Sequence, residues 1–240
     1  MSAPLLFVHG WGQSRQAWHR QMQAFPDAEF LNLPGHGGAP EAADWVATLA
    51  AQLPDAPVHL VGWSLGGMLA MQLALASPER VAALTLVSTT PRFRSGEGWA
   101  FGSSDAVFDG FEQGLLVNSA KTMSRFFALM LHGDALSRSD YNAIARGAVD
   151  KGAPPSEVAL KRGLDYLAGI DLVDSISRIQ QPALVMHGDA DAVVPPAAGR
   201  WLVEHLPAAE LHRFNACGHA PFLSQPEHFN EILEAWCHSN

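Results

Sequence analysis

Pro57-Val58-His59-Leu60-Val61-Gly62-Trp63-Ser64-Leu65-Gly66-Gly67 is the stretch that decides the fold. Its first five residues form a short apolar run of the kind that makes a buried strand. From Leu65 to Ala76 the chain reads as a helix. The turn between them, Gly62-Trp63-Ser64-Leu65-Gly66, has glycines on both sides of the serine. The bare spacing is common, but between a strand and a helix it is specific. So tight a turn strains the serine backbone and needs neighbours without side chains. It lifts Oγ clear of the sheet. It also sets the Leu65 N–H at a helix N-terminus, where it can face a developing oxyanion. Ser64 is therefore the candidate nucleophile.

Outward from this turn, short apolar runs bounded by Gly, Pro and Asp recur at 4–8, 29–33, 57–61, 81–87, 183–187 and 210–214. Near-continuous apolar character marks strands covered on both faces, as in a parallel sheet. Helix-like stretches at 45–53, 65–76, 197–205 and 228–237 fall between them. This alternation predicts a doubly wound α/β fold, a mostly parallel sheet flanked by helices. The alternation stops between Thr90 and Arg178, where 113–131, 139–149 and 156–167 read as helices. The expected organisation is a core of residues 1–90 and 179–240, with 91–178 inserted before the fifth strand as a helical cap. Ligands of open α/β sheets bind beyond the carboxyl ends of the strands, so such a cap would cover the site.

A serine hydroxyl needs a base to take its proton. Behind a strand–turn–helix serine, the acid and then the histidine follow in chain order. Of the 11 histidines, His219 in Cys217-Gly218-His219-Ala220-Pro221-Phe222 follows the last strand and precedes the last helix. That loop lies on the Ser64 side of the sheet. His212, His59 and His187 fall within strands, and His205, His228 and His238 read as solvated helix positions. After the fifth strand, Gly188-Asp189-Ala190-Asp191 offers two carboxylates. Asp189, at the strand end, suits turn capping. Asp191 reaches further along the loop and is the candidate acid. The loop His9-Gly10-Trp11-Gly12, after the first strand, offers the Trp11 N–H as a second oxyanion donor beside that of Leu65. The Trp11 indole would wall the acyl pocket, and His9 would brace the loop by hydrogen bonding.

Composition narrows the classes. With 240 residues, 48% apolar and 16% charged, the chain is long and apolar enough for one large packed domain. A formal charge of −9 opposes binding to nucleic acid or an anionic membrane. Cys217 and Cys237 are too few for a disulfide framework and read as reduced thiols, Cys217 as a small buried filler. The first ten residues carry no basic stretch, and their apolar run is too short for a signal peptide. No run approaches the ~18 apolar residues of a membrane span. The expectation is a cytoplasmic, soluble monomer. No metal-ligand spacing is present, and Ser-His-Asp chemistry needs no metal or cofactor.

Gly10-Trp11-Gly12, Leu33-Pro34-Gly35-His36-Gly37, Gly62-Trp63-Ser64-Leu65-Gly66-Gly67 and Gly218-His219-Ala220-Pro221-Phe222 together give a likeness that runs nearly end to end. The chain resembles the pimeloyl-acyl-carrier-protein methyl ester esterases of biotin synthesis, members of the α/β-hydrolase superfamily. Ser77-Pro78-Glu79-Arg80-Val81 also matches, though many α/β-hydrolases share it. Arg125-Phe126-Phe127-Ala128-Leu129 resembles the family's acyl-binding helix. The resemblance implies a serine carboxylesterase acting through an acyl-enzyme. It implies substrate contacts from Trp11, Leu65, Phe126, Phe127, Ala128, Leu129, Met130 and His219. It also implies an acyl carrier protein as partner, met by Lys121, Arg125 and Arg138. Two departures stand out. The N-terminal hairpin strands of many relatives are missing, and the cap diverges outside 125–129.

Charge bears on the partner separately. Between Gln113 and Arg162 seven basic residues face four acidic ones, a local +3 in a chain of −9. A basic strip on an acidic enzyme suits steering of an acidic partner. The triad alone does not separate this reading from a general short-chain carboxylesterase, an enol-lactonase or a carbon–carbon bond hydrolase. A non-catalytic ligand-binding protein of the same fold fits less well, because all three triad residues are present.

Overall fold

The computed structural model describes residues 3–239. Met1, Ser2 and Asn240, which fall within the expected core bounds and the expected leaderless N-terminus, lie outside them. Six strands form one sheet: β1 (Leu5–Val8), β2 (Glu29–Leu31), β3 (Val58–Trp63), β4 (Val81–Val87), β5 (Ala183–Gly188) and β6 (Ala209–Phe214). Every pair is parallel, and the order is β2-β1-β3-β4-β5-β6. All residues of β3 and β5 are buried, and the edge strands β2 and β6 are partly exposed. That is why the central strands read as unbroken apolar runs. The strand order reverses between β1 and β3, the place where such sheets open a crevice at their carboxyl ends. Val8 pairs with Gly62 there. The loop after β1 and the turn after β3 are therefore neighbours.

The helices are α1 (His19–Ala24), α2 (Trp45–Ala50), α3 (Leu65–Ala76), α4 (Asp105–Met130), α5 (Arg138–Ala148), α6 (Glu157–Gly169), α7 (Pro196–His205), α8 (Pro221–Ser224) and α9 (Pro226–Ser239). Nine of the twelve residues of α3 are buried. An apolar sequence all round the helix fits this, since both its sides are covered. In contrast, α9 buries only Pro226, Phe229, Leu233 and Trp236, one stripe of its surface. An aromatic cluster joins the layers under the site. Trp18 packs on Phe222 with centroids 4.0 Å apart, and Phe222 on Trp63 at 4.9 Å.

Between β4 and β5 the described chain is helical, with α4, α5 and α6 and three isolated bridges. The helix expected at 113–131 starts earlier, at Asp105, and breaks at Asn118 (φ −161°, ψ 92°). The Asn118 side chain accepts the Lys121 N–H at 2.9 Å and so caps the second half anew. Asparagine favours that position because its short amide competes with the helical bonding pattern. The segment Arg15–Ala24, a 3-10 turn running into α1, is too short to show a helical period.

Candidate active site

Ser64 sits in the left-handed region, at φ 54° and ψ −119°, between β3 and α3. A side chain at Gly62 would come within 2.6 Å of the Gly66 carbonyl oxygen, and one at Gly66 would strike the Val8 carbonyl oxygen. The two glycines are thus required by close approach, and the serine carries the strain. Ser64 N–H donates to the Val87 carbonyl at 2.9 Å, and Thr89 Oγ1 donates to the Ser64 carbonyl at 2.7 Å. These bonds fix the elbow from β4. Leu65 opens α3, so its N–H is among those that a helix leaves without an internal acceptor.

His219 stands in the loop after β6. Its Nδ1 donates to Asp191 Oδ2 at 2.8 Å, across 28 residues of chain. Its own N–H donates to the Met130 carbonyl at 2.8 Å, and its carbonyl accepts the Trp63 indole N–H at 2.9 Å. The Trp63 and His219 rings lie 5.6 Å apart, which seats the imidazole beside the elbow. With a proton on Nδ1, neutral His219 presents a lone pair on Nε2. Nε2 is buried and has no hydrogen-bond partner among the described residues.

The Asp191 carboxylate is buried. Oδ1 accepts the Val193 and Val194 N–H groups at 2.8 and 2.9 Å. Burial by itself would raise its pKa. His219 and then His187 outweigh that and hold the carboxyl below the usual range. Asp189 is exposed, and its Oδ1 takes the Cys217 N–H at 3.4 Å. Of the two carboxylates in this loop, the structure thus brings Asp191 to His219.

The loop after β1 lies against Ser64. A Cβ on Gly10 would stand 3.1 Å from Ser64 Cβ. The Trp11 indole donates to the Leu160 carbonyl of α6 at 2.8 Å and packs edge-on to Phe126 at 5.0 Å. His9 Nε2 accepts the Leu33 N–H at 3.0 Å, so its Nδ1 carries the proton and donates to the Gly10 carbonyl at 2.8 Å. Burial, with His36 adding to it, pushes the His9 pKa down to about 3. His9 is a neutral brace.

Ser64 and Trp11 open on a cavity of about 200 Å³, walled by Phe93, Phe108, Phe111, Phe126 and Leu129 among others. Of the five residues expected to bind the acyl chain, Phe126 and Leu129 line it. The other three do not line it. Phe127 packs on Tyr141 and lines a separate cleft of about 1080 Å³, Ala128 is exposed, and buried Met130 offers its carbonyl to His219. The cause is helical geometry. Residues three apart share a face, whereas adjacent ones diverge by about 100°.

Lys121 and Arg125 are exposed and four apart on α4, so they share a face; Arg138 is exposed at the start of α5. None of the three forms an ion pair among the described residues. Cys217 is buried, and burial pushes its thiol well above the usual range, which disfavours the thiolate. No described helix is long and apolar enough to cross a membrane.

Two residues escape the sequence reading. His187 reads as a strand residue, yet its Nε2 lies 3.2 Å from Asp191 Oδ2. Its position at the end of β5, four residues before the acid, is a usable signal. Asp134, in the turn after α4, accepts the Gly218 N–H at 2.9 Å. Nothing local in the sequence signals that contact, which spans 84 residues.

A parallel sheet with a strained serine at its switch point and an Asp-His pair beside it defines a serine hydrolase of the α/β type. The family model described as "alpha/beta hydrolase fold" matches residues 3–226. An esterase from Exiguobacterium antarcticum superposes with a TM-score of 0.87, covering 99% of this chain and 93% of its own at 20% identity. Among sequence relatives, the pimeloyl-[acyl-carrier protein] methyl ester esterase of Aromatoleum aromaticum is 37% identical over 96% of both chains. That of Nitrosomonas europaea is 34% identical over 96% of this chain and 94% of its own. The chain belongs to this family, the pimeloyl-[acyl-carrier protein] methyl ester esterases.

Proposed function

We propose that the protein hydrolyses the methyl ester of pimeloyl-acyl carrier protein, releasing methanol and a free carboxylate for biotin synthesis. What carries this reading is the end-to-end likeness to relatives named for that reaction. The apolar cavity at Ser64 supports it, since it suits a hydrocarbon chain ending in an uncharged ester.

His219 Nε2 takes the Ser64 hydroxyl proton as Oγ attacks the ester carbonyl. The N–H groups of Trp11 and Leu65 stabilise the oxyanion. Asp191 holds the imidazole and stabilises its cation. The tetrahedral adduct collapses, and His219 returns the proton to the departing methoxide. Water then attacks the acyl-enzyme, with His219 again as base, and Ser64 is regenerated. No external electron donor or acceptor is needed.

The segment 91–178 acts as a cap, and the acidic carrier docks on it through Lys121, Arg125 and Arg138. Complementation tests the assignment. The gene should restore growth without biotin to a bacterial strain lacking its methyl ester esterase. Failure, with the protein present in the cell, would argue for another ester.

A further inference from the structure

Asp191 meets two imidazoles. His187 Nε2 in β5 lies 3.2 Å from Oδ2, the oxygen that His219 Nδ1 reaches at 2.8 Å. The same His187 Nε2 lies 3.0 Å from the Val194 carbonyl oxygen. Two oxygen acceptors around one ring nitrogen require a proton on it, so His187 is an Nε2–H donor. Its Nδ1 is buried without a hydrogen-bond partner among the described residues, packed on α7 where a Cβ at Gly199 would come within 2.6 Å of it. The ring is 1% exposed. It is locked in one orientation by packing on one side and by acceptors on the other.

The contacts form a closed brace. Val194 N–H donates to Asp191 Oδ1, and the Val194 carbonyl faces His187. His187 therefore supports the residue whose N–H holds one carboxylate oxygen, and its own N–H dipole lies 3.2 Å from the other. The remaining titratable groups acting in this region are Asp134, from the turn after α4, and Cys217, from the loop after β6. Neither is a cation. Among the described side chains, only His219 donates to the carboxylate, and the His187 N–H, bonded to the Val194 carbonyl, stands 3.2 Å from the same oxygen.

We propose that His187 is a positioning residue for ester hydrolysis, acting through Asp191 and the 191–194 turn to set both the orientation and the basicity of His219. The proposal rests on the reading of Ser64, His219 and Asp191 as the triad. Loss of the His187 N–H beside Oδ2 leaves the carboxylate charge less compensated. His219 then feels more of it, and the imidazolium becomes easier to form. The acid limb of the kcat/KM profile, which reports the base of the free enzyme, moves up.

The test compares His187→Leu, His187→Gln, Asp191→Asn and the double variant His187→Leu/Asp191→Asn on the carrier-linked methyl ester. His187→Leu should lower kcat about tenfold, the worth of roughly one hydrogen bond, with KM nearly unchanged. Its acid limb should rise by roughly half a pH unit. His187→Gln, which keeps an N–H donor, should recover most of the rate. The double variant should be no slower than Asp191→Asn, because both act through one carboxylate. If the leucine variant does not fold, His187→Asn, polar but too short to reach, takes its place. An unmoved or lowered acid limb overturns the proposal. So does a glutamine variant no faster than the leucine one, or losses that multiply in the double variant. If Asp191→Asn is slow and His187→Leu is not, only the role of His187 falls. If Asp191→Asn is itself fast, the triad reading falls first.

Discussion

His219 takes its backbone anchor from Met130: the His219 N–H meets the Met130 carbonyl at 2.8 Å, across 89 residues of chain. Met130 ends α4, the helix that carries Lys121, Arg125, Phe126 and Leu129. The helix lining the Ser64 cavity thus also holds the loop of the candidate base. The neighbouring Gly218 N–H is held by Asp134 at 2.9 Å.

Asp134 should therefore matter without touching substrate. Asp134→Ala leaves a partly buried N–H without its acceptor, at a cost of about 1–3 kcal/mol. Thermal unfolding should show a lowered Tm, and steady-state assays a lowered kcat. Asp134→Asn keeps an oxygen at the same place and should stay near wild type in both. Equal damage from the two would point to charge rather than hydrogen bonding.

The choice between the two carboxylates is measurable. Asp191→Asn should lower kcat by about 10⁴-fold, as loss of the acid does in other triads, because the imidazole loses its orienting acceptor. Asp189→Asn, on an exposed side chain bonded to Cys217, should cost far less. The opposite ranking in steady-state rates would move the acid to Asp189.

Acid should unfold the protein partly through His59. Burial pushes its pKa down to about 4 from the ordinary 6.5. Between those values the unfolded chain binds the proton and the folded one does not. Its contribution is complete above pH 6.5 and is lost as pH falls towards 4. The loss amounts to about 3 kcal/mol. Urea unfolding at a series of pH values should show this decline, and His59→Asn should make it shallower. His9 adds a further loss over the same range and below it, down to about pH 3.

The cap residues should separate by substrate. Arg125→Ala with Arg138→Ala should lower kcat/KM for a carrier-linked ester and spare a small free ester. The loss should shrink as salt rises, since exposed charges are screened over roughly 8–10 Å near physiological ionic strength. Arg125 adjoins Phe126, so charge reversal at Arg138 alone distinguishes docking from disturbance of the Ser64 cavity. Phe126→Ala, in contrast, should slow both substrates. Equal losses on both esters from the arginine variants would assign those residues to packing.

Much of this was legible in the chain. The buried strands read as apolar runs because both faces are covered, and the Gly62 to Gly66 turn could hardly be another structure. Asp191 could be preferred from its reach along the loop. The walls of the Ser64 cavity are less legible. The family likeness covers a contiguous stretch, 125–129, whereas helical spacing puts only Phe126 and Leu129 of it on the cavity and adds Phe108 and Phe111 from the early part of α4. That part lay outside the expected helix. Asp134 and His187 act through contacts made by the tertiary fold, and no local pattern announces the first.

The assignment makes Ser64 the nucleophile. Methanol release from the methyl ester of pimeloyl-acyl carrier protein, followed for wild type and Ser64→Ala with folding checked by circular dichroism, decides it. Wild type should turn over repeatedly. The folded Ser64→Ala variant should release methanol at no more than a residual rate, ~10⁶-fold below wild type, as loss of the nucleophile does elsewhere. Turnover by the folded alanine variant near the wild-type rate, or no turnover by the wild-type protein, would contradict the assignment.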